Sequence, residues 1–216
     1  SYEEALKNYF ESLRLEIILK NEKGIASSYN NIGNVYNNQG KYQEALKNYY
    51  YCLKIRIKLD DKLSIGASYN NIGNIYNLQG RYPDALKNYF EALKVGELIG
   101  DKKGIAGCYN NIGSVYYVQE NYVEALKSYF SSLKIAEKLG DTKGMAYSYN
   151  NIANVYVYQN NYSEALNNYY AALKTRESIG DRAGVASCLN NIGRVYYVQG
   201  DYGLALDKYF ESLKIR

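Results

Sequence analysis

The feature that most constrains this chain is an internal repeat with a fixed period of 40 residues. Tyr29 to Gly40 reads YNNIGNVYNNQG, and the stretch returns as YNNIGNIYNLQG from Tyr69 and YNNIGSVYYVQE from Tyr109. Two further copies follow, YNNIANVYVYQN from Tyr149 and LNNIGRVYYVQG from Leu189, and no insertion or deletion breaks the register. A period in this range marks stacked arrays, in which each unit cannot bury its apolar face alone and does so against its neighbours.

Apolar spacing inside the unit is helical. Tyr29, Ile32, Gly33 and Tyr36 follow i, i+3, i+4, i+7, one packing stripe, widened on one side by Val35. This predicts first helices near 23–39, 63–79, 103–119, 143–159 and 183–199. The intervening stretches, such as KYQEALKNYYYCLKIRIKLDD, predict second helices near 2–20, 42–59, 82–99, 122–139, 162–179 and 202–216. The small columns Gly33, Gly73, Gly113, Ala153, Gly193 and Ala45, Ala85, Ala125, Ala165, Ala205 are expected to face each other and let the helices approach. In the second helix, Ala45, Tyr49 and Cys52 should face the helix before, and Leu46, Tyr50 and Leu53 the helix after.

Punctuation agrees with this register. Gly40, Gly80 and Gly200, with Asn160, fall where a left-handed residue closes a helix. Gly100-Asp101, Gly140-Asp141 and Gly180-Asp181 end one helix and cap the next. Pro83, the single proline, falls in a first turn, where its missing N–H costs nothing. The chain thus divides into a half-repeat 1–21 and repeats 22–61, 62–101, 102–141, 142–181 and 182–216, the last truncated, as one array over 1–216.

Composition excludes several functions. Histidine is absent, which removes the commonest general base and metal ligand. No catalytic, metal-binding or dinucleotide motif occurs, so neither enzyme activity nor a cofactor is expected. The 26 basic residues barely exceed the 22 acidic ones and are scattered, which gives nucleic-acid binding little support. No apolar run is long enough to cross a membrane. Three cysteines without a plausible pairing fit a reducing, cytoplasmic setting.

The series Ile32-Gly33, Tyr36, Gly40, Tyr42, Ala45, Tyr49, Cys52-Leu53 resembles the tetratricopeptide repeat, and the resemblance recurs in every unit. It implies an all-α fold: a right-handed superhelical solenoid of antiparallel helix pairs, about 11 helices here, with a concave groove. Two departures stand out. The family's usual tryptophan is replaced by Tyr29, Tyr69, Tyr109, Tyr149 and Leu189, and the proline that normally ends the second helix is missing. The longer unit is similar to repeats of the Pins/LGN polarity adaptors, and the doubled asparagine to those of kinesin light chain. In such relatives the array is a docking surface, which implies a protein or peptide ligand.

At 100° per residue, the first-helix face opposite the packing stripe carries Asn30, Asn70, Asn110, Asn150 and Asn190, then Asn34, Asn74, Ser114, Asn154 and Arg194. Asparagine is a poor helix former, so its recurrence on one face asks for a reason. A peptide-gripping ladder is one, since an amide can both donate to and accept from a main chain. Bonding to the neighbouring first helix, or copying during repeat duplication, is the other. For the second column, Asn31, Asn71, Asn111, Asn151 and Asn191, bonding between repeats is the favoured reading. The outer positions run from Asn37-Asn38 to Tyr117-Val118, Tyr158 and Tyr197, so the face should turn from amide-rich to apolar along the chain.

The leading expectation is therefore a non-catalytic scaffold binding an extended or short helical peptide. An architectural or oligomerising spacer, or a ligand-responsive input domain of a larger signalling protein, are the alternatives. In α-helical register Leu206, Phe210 and Leu213 continue the stripe that earlier units cover with the next first helix, and this predicts self-association through that seam.

Overall fold

Helices form where the 40-residue register places them. The computed structural model describes residues 1–215; Arg216, the end of the last expected helix, lies outside the described residues. First helices are α2 (Glu22–Asn38), α4 (Lys62–Leu78), α6 (Lys102–Val118), α8 (Thr142–Tyr158) and α10 (Arg182–Gln199). Second helices are α1 (Tyr2–Ile18), α3 (Tyr42–Lys58), α5 (Tyr82–Ile99), α7 (Tyr122–Leu139), α9 (Tyr162–Ser178) and α11 (Tyr202–Ile215). No strand occurs among the described residues. Most expected C-terminal ends ran one or two residues long, because the last residues of the pattern enter the closing turn, and each first helix begins one residue earlier than expected.

The joints are built as the punctuation predicts. Gly40, Gly80, Gly100, Gly140, Gly180 and Gly200 all have positive φ, and so do the non-glycines Lys20, Asp60, Glu120 and Asn160. At the head of the first helices, Asn21, Asp61, Asp101, Asp141 and Asp181 each accept the main-chain N–H three residues on. Such a cap satisfies one of the orphaned donors of the first turn. Hydrogen bonding to Ser64 and Gly184 holds the Asp61 and Asp181 carboxyls below their ordinary value.

The helices divide into two packed units, Ser1–Cys108 and Tyr109–Arg216, with the division inside α6. In the first unit α2 packs most extensively on α3 and α4 on α5; in the second the pairs are α8 with α9 and α10 with α11. Lys58 pairs with Glu22 while Tyr49 meets Asn34, so α2 and α3 run antiparallel. The core of the first unit includes Ile32, Tyr49, Cys52, Ile72, Ile75 and Tyr89, all nearly inaccessible. That of the second is built the same way around Tyr129, Ile152, Val155, Tyr169, Cys188 and Ile192. Each such side chain contributes about 1.5–3 kcal/mol through burial.

One expectation is widened. Cys52 Sγ lies 3.9 Å from Ser68 Oγ, so it reaches the helix after as well as the helix before it was expected to face. Its position falls between the two stripes of the second helix, at a junction of three helices. The equivalent Ser132 likewise meets both Asn110 in α6 and Ser148 in α8.

Candidate functional site

The site is set by a tyrosine column. Tyr49 of α3 lies so close to α2 that a Cβ on Gly33 would come within 2.7 Å of its ring. That approach delivers the phenol across the pair, and Tyr49 Oη donates to Asn34 Oδ1 at 2.7 Å. Tyr89 does the same to Asn74 at 2.7 Å, and Tyr169 to Asn154 at 2.5 Å. Tyr129 donates to Ser114 Oγ at 3.2 Å. Burial pushes the Tyr49 and Tyr169 phenols up to about 12, against which the nearby Arg194 charge works at Tyr169. They therefore act as donors at any ordinary pH.

This arrangement orients the amides. With Oδ1 of Asn34, Asn74 and Asn154 accepting from tyrosine, Nδ2 is the donor group each amide has left to offer. Asn34, Asn74 and Arg194 are exposed, and Ser114 and Asn154 half-buried. The expected column does lie on the accessible face, with one acceptor site of Asn34, Asn74 and Asn154 already taken by tyrosine.

The column at Asn30 behaves differently. Asn71 Nδ2 donates to Asn30 Oδ1 at 3.1 Å, and Asn191 Nδ2 to Asn150 Oδ1 at 3.2 Å. These are the bonds between repeats favoured for the second column. Asn70 donates to Cys108 Sγ at 3.4 Å, and Asn110 to Ser132 Oγ at 2.6 Å and Ser148 Oγ at 3.3 Å. Those two amides are turned into the protein. Asn190 is exposed and lines a recess with Leu206 and Phe210.

At the outer positions apolar groups stand in solvent. Leu78, Val118, Tyr158, Tyr197 and Val198 are each more than half exposed. In the second unit the Tyr117 and Tyr158 rings meet edge-on with centroids 5.3 Å apart, and Tyr122 stacks on Tyr158 at 6.1 Å. Tyr197 and Tyr202 form a second pair at 5.4 Å. Burial and the Tyr158 hydroxyl both raise the Tyr117 phenol. Tyr122 and Tyr202 were missed as site residues in the sequence. Their signal was position: each opens a second helix two residues after a left-handed closing residue, which folds it back onto the preceding helix end.

Leu206, Phe210 and Leu213 are 55, 58 and 67% exposed, the open seam the register predicts. Cys52, Cys108 and Cys188 are buried free thiols, raised by that burial. No helix among the described residues is long and apolar enough to cross a membrane.

Comparison with solved structures gives the same architecture. BtubC (BKLC) from P. vanneervenii superposes with a TM-score of 0.87 at 20% identity, over 100% of this chain and 91% of that one. A Rap protein complexed with Competence and Sporulation Factor matches with a TM-score of 0.76 at 16% identity. That alignment takes 90% of this chain but 54% of the Rap chain, so this chain spans about half its length. A putative kinesin light chain of Podospora anserina with nearly identical TPR-like repeats matches at 0.71 and 15% identity, over 88% of this chain and 93% of that one. No curated protein sequence matches the chain. Residues 24–97, 105–178 and 144–216 each match the family model of the tetratricopeptide repeat. With the helix pairs, the small-residue contacts and most of the length in agreement, this chain belongs to the tetratricopeptide repeat family.

Proposed function

We propose that the chain is one array over 1–216 and a non-catalytic protein-interaction scaffold that binds an extended peptide along the exposed face of its first helices. The observation that carries this reading is the orientation of the amides. A buried tyrosine holds each of Asn34, Asn74 and Asn154 by its oxygen, which leaves the N–H2 of each amide as the donor it offers. Peptide carbonyls are the matching acceptors. Near Tyr117, Tyr158 and Tyr197 the same face offers apolar anchorage, and Arg194 a single positive charge. That a protein of this fold was crystallised with Competence and Sporulation Factor supports the reading. Buried free cysteines fit a cytoplasmic protein.

Selection from a displayed peptide library, followed by calorimetric titration, tests it. Asn34→Ala combined with Asn74→Ala should weaken selected peptides about 5- to 150-fold while helicity holds or rises, since each lost hydrogen bond is worth about 0.5–1.5 kcal/mol and alanine is the better helix former. Unchanged affinity in the folded double variant sinks the donor ladder.

The exposed seam of Leu206, Phe210 and Leu213 favours a second, compatible reading, in which copies associate through α11. Light scattering on the chain and on Phe210→Lys distinguishes them. Association that the lysine abolishes supports the seam, and a strict monomer at high concentration removes it.

A further inference from the structure

The first unit contains a cavity of about 360 Å³ at the joint between α5 and the start of α6, lined by Leu63, Gly66, Ala67, Gly96, Ile99 and Asp101. Eighty residues on, the same positions are Lys143, Ala146, Tyr147, Arg176, Ile179 and Asp181, and they too line a recess. There the chain itself supplies a guanidinium to the lining. Arg176 Nη1 donates to Asp181 Oδ2 at 2.7 Å, and its guanidinium lies 5.2 Å from the Tyr147 ring centroid. Arg56, at the corresponding place in α3, donates to the Ser64 carbonyl at 3.0 Å and to Ser68 Oγ at 2.8 Å. Glycine at position 96 brings no side chain to this joint.

The acceptor is nevertheless retained. Asp101 Oδ1 takes the Gly104 N–H at 2.9 Å, as Asp181 Oδ1 takes that of Gly184 at 2.9 Å. The second oxygen, Oδ2, stands against Gly104 as that of Asp181 stands against Gly184. Gly66 and Ala67 leave the mouth open, and Leu63 and Ile99 offer apolar walls for a methylene stem. Lys102 and Lys103 follow Asp101 in the sequence but do not line the cavity.

We propose that this cavity takes the guanidinium of an arginine side chain on a partner peptide, with Asp101 Oδ2 as its counter-ion, as Arg176 and Arg56 occupy the equivalent joints. The proposal rests on the reading of the first-helix face as a peptide site, to which it adds a side-chain preference. The planar fork of a guanidinium can bond a carboxylate and a carbonyl together, which an ammonium does less well.

The test uses the ¹⁵N-labelled chain and two probes, N-acetyl-arginine amide and its near-isosteric neutral counterpart N-acetyl-citrulline amide. Arginine amide should move the resonances of Gly66, Ala67, Gly96 and Gly104 with a dissociation constant on the order of millimolar, and citrulline amide should bind at least about tenfold more weakly. Asp101→Asn keeps the helix cap, as Asn21 does for Gly24, and should weaken arginine amide about tenfold. Gly96→Arg plugs the cavity with the chain's own guanidinium and should abolish the shifts. Ile105 Cγ1 would lie 3.1 Å from the new Cβ, and the juxtaposition of Arg56 and Ile65 one repeat earlier is the precedent for its fitting. No shift at 100-fold the millimolar scale (about 100 mM), equal binding of citrulline amide, or binding unaffected by Gly96→Arg overturns the proposal. The two readings fail separately. A chain that binds arginine amide here but no selected peptide loses only the peptide reading. One whose selected peptides ignore Gly96→Arg loses only the arginine pocket.

Discussion

The two units repeat the same core pattern and differ on the face they present. In the first, the last-turn positions of α2 and α4 are Asn37-Asn38 and Asn77-Leu78; in the second, those of α6, α8 and α10 are Tyr117-Val118, Val157-Tyr158 and Tyr197-Val198. Beneath them the same tyrosine recurs, Tyr49 and Tyr89 in one unit and Tyr129 and Tyr169 in the other, all buried. Positions that set how closely two helices approach admit almost no change, because dense packing penalises even a methylene. Positions four and five residues further on lie at the rim, where Leu78, Val118, Tyr158, Tyr197 and Val198 are more than half exposed and freer to carry chemistry. Conserved geometry with a variable rim is what a scaffold needs if each repeat is to recognise something different.

The comparison is broken most directly in the core. Tyr89→Ala and Tyr169→Ala should each cost about 3–5 kcal/mol, measured by denaturant unfolding. Costs that differ widely between the units would show that the columns are not equivalent. The phenols provide a milder version of the test. Both Tyr49 and Tyr169 are raised to about 12, so each favours the folded state fully below the ordinary value of 10. That contribution falls away as pH rises from there through 12. Tyr49→Phe and Tyr169→Phe should each flatten the alkaline limb of the stability profile by a similar amount.

Binding should separate the units where folding does not. For a selected peptide that reaches the aromatic cluster, Tyr158→Ala should cost about 2 kcal/mol or more, roughly a 30-fold loss, because exposed aromatic anchors concentrate binding energy. A single amide such as Asn34→Ala should cost about 0.5–1.5 kcal/mol. Calorimetry giving the reverse order would remove the distinction between an amide end and an aromatic one. The smallest effect is expected at Gly73→Ala. Its Cβ would press on the Tyr89 ring at 2.7 Å, yet Ala153 occupies the equivalent place against Tyr169 with both residues fully buried. The gain in helix propensity, about 1 kcal/mol, should nearly cancel the cost of moving the ring, leaving thermal unfolding almost unchanged.

Much of this was legible beforehand, and the reasons are local. Helix positions followed from the repeat, and joints from Gly-Asp pairs whose turn and cap chemistry act within a few residues. The second asparagine column was read as bonding between repeats, which Asn71 and Asn191 do. What escaped was anything decided by how two helices meet. That Tyr49 would hold Asn34 by its oxygen depends on ring reach across the pair, and a helical wheel treats each helix alone. The same limit concealed Tyr122 against Tyr158, the inward turn of Asn70 and Asn110, and the position of Cys52 between two stripes.

One feature of the joints bears on how the array comes apart. Six joints close on glycine, while Lys20, Asp60 and Glu120 hold the same left-handed turn with φ of 53°, 52° and 59°. A side chain in that conformation costs about 1–2 kcal/mol. In a structure whose stability is summed unit by unit, such differences set the order in which segments exchange with solvent. The turns beside Lys20, Asp60 and Glu120 are thus built-in weak links that evolution can loosen or tighten, through a single change to or from glycine, without altering one residue of the face that meets a partner.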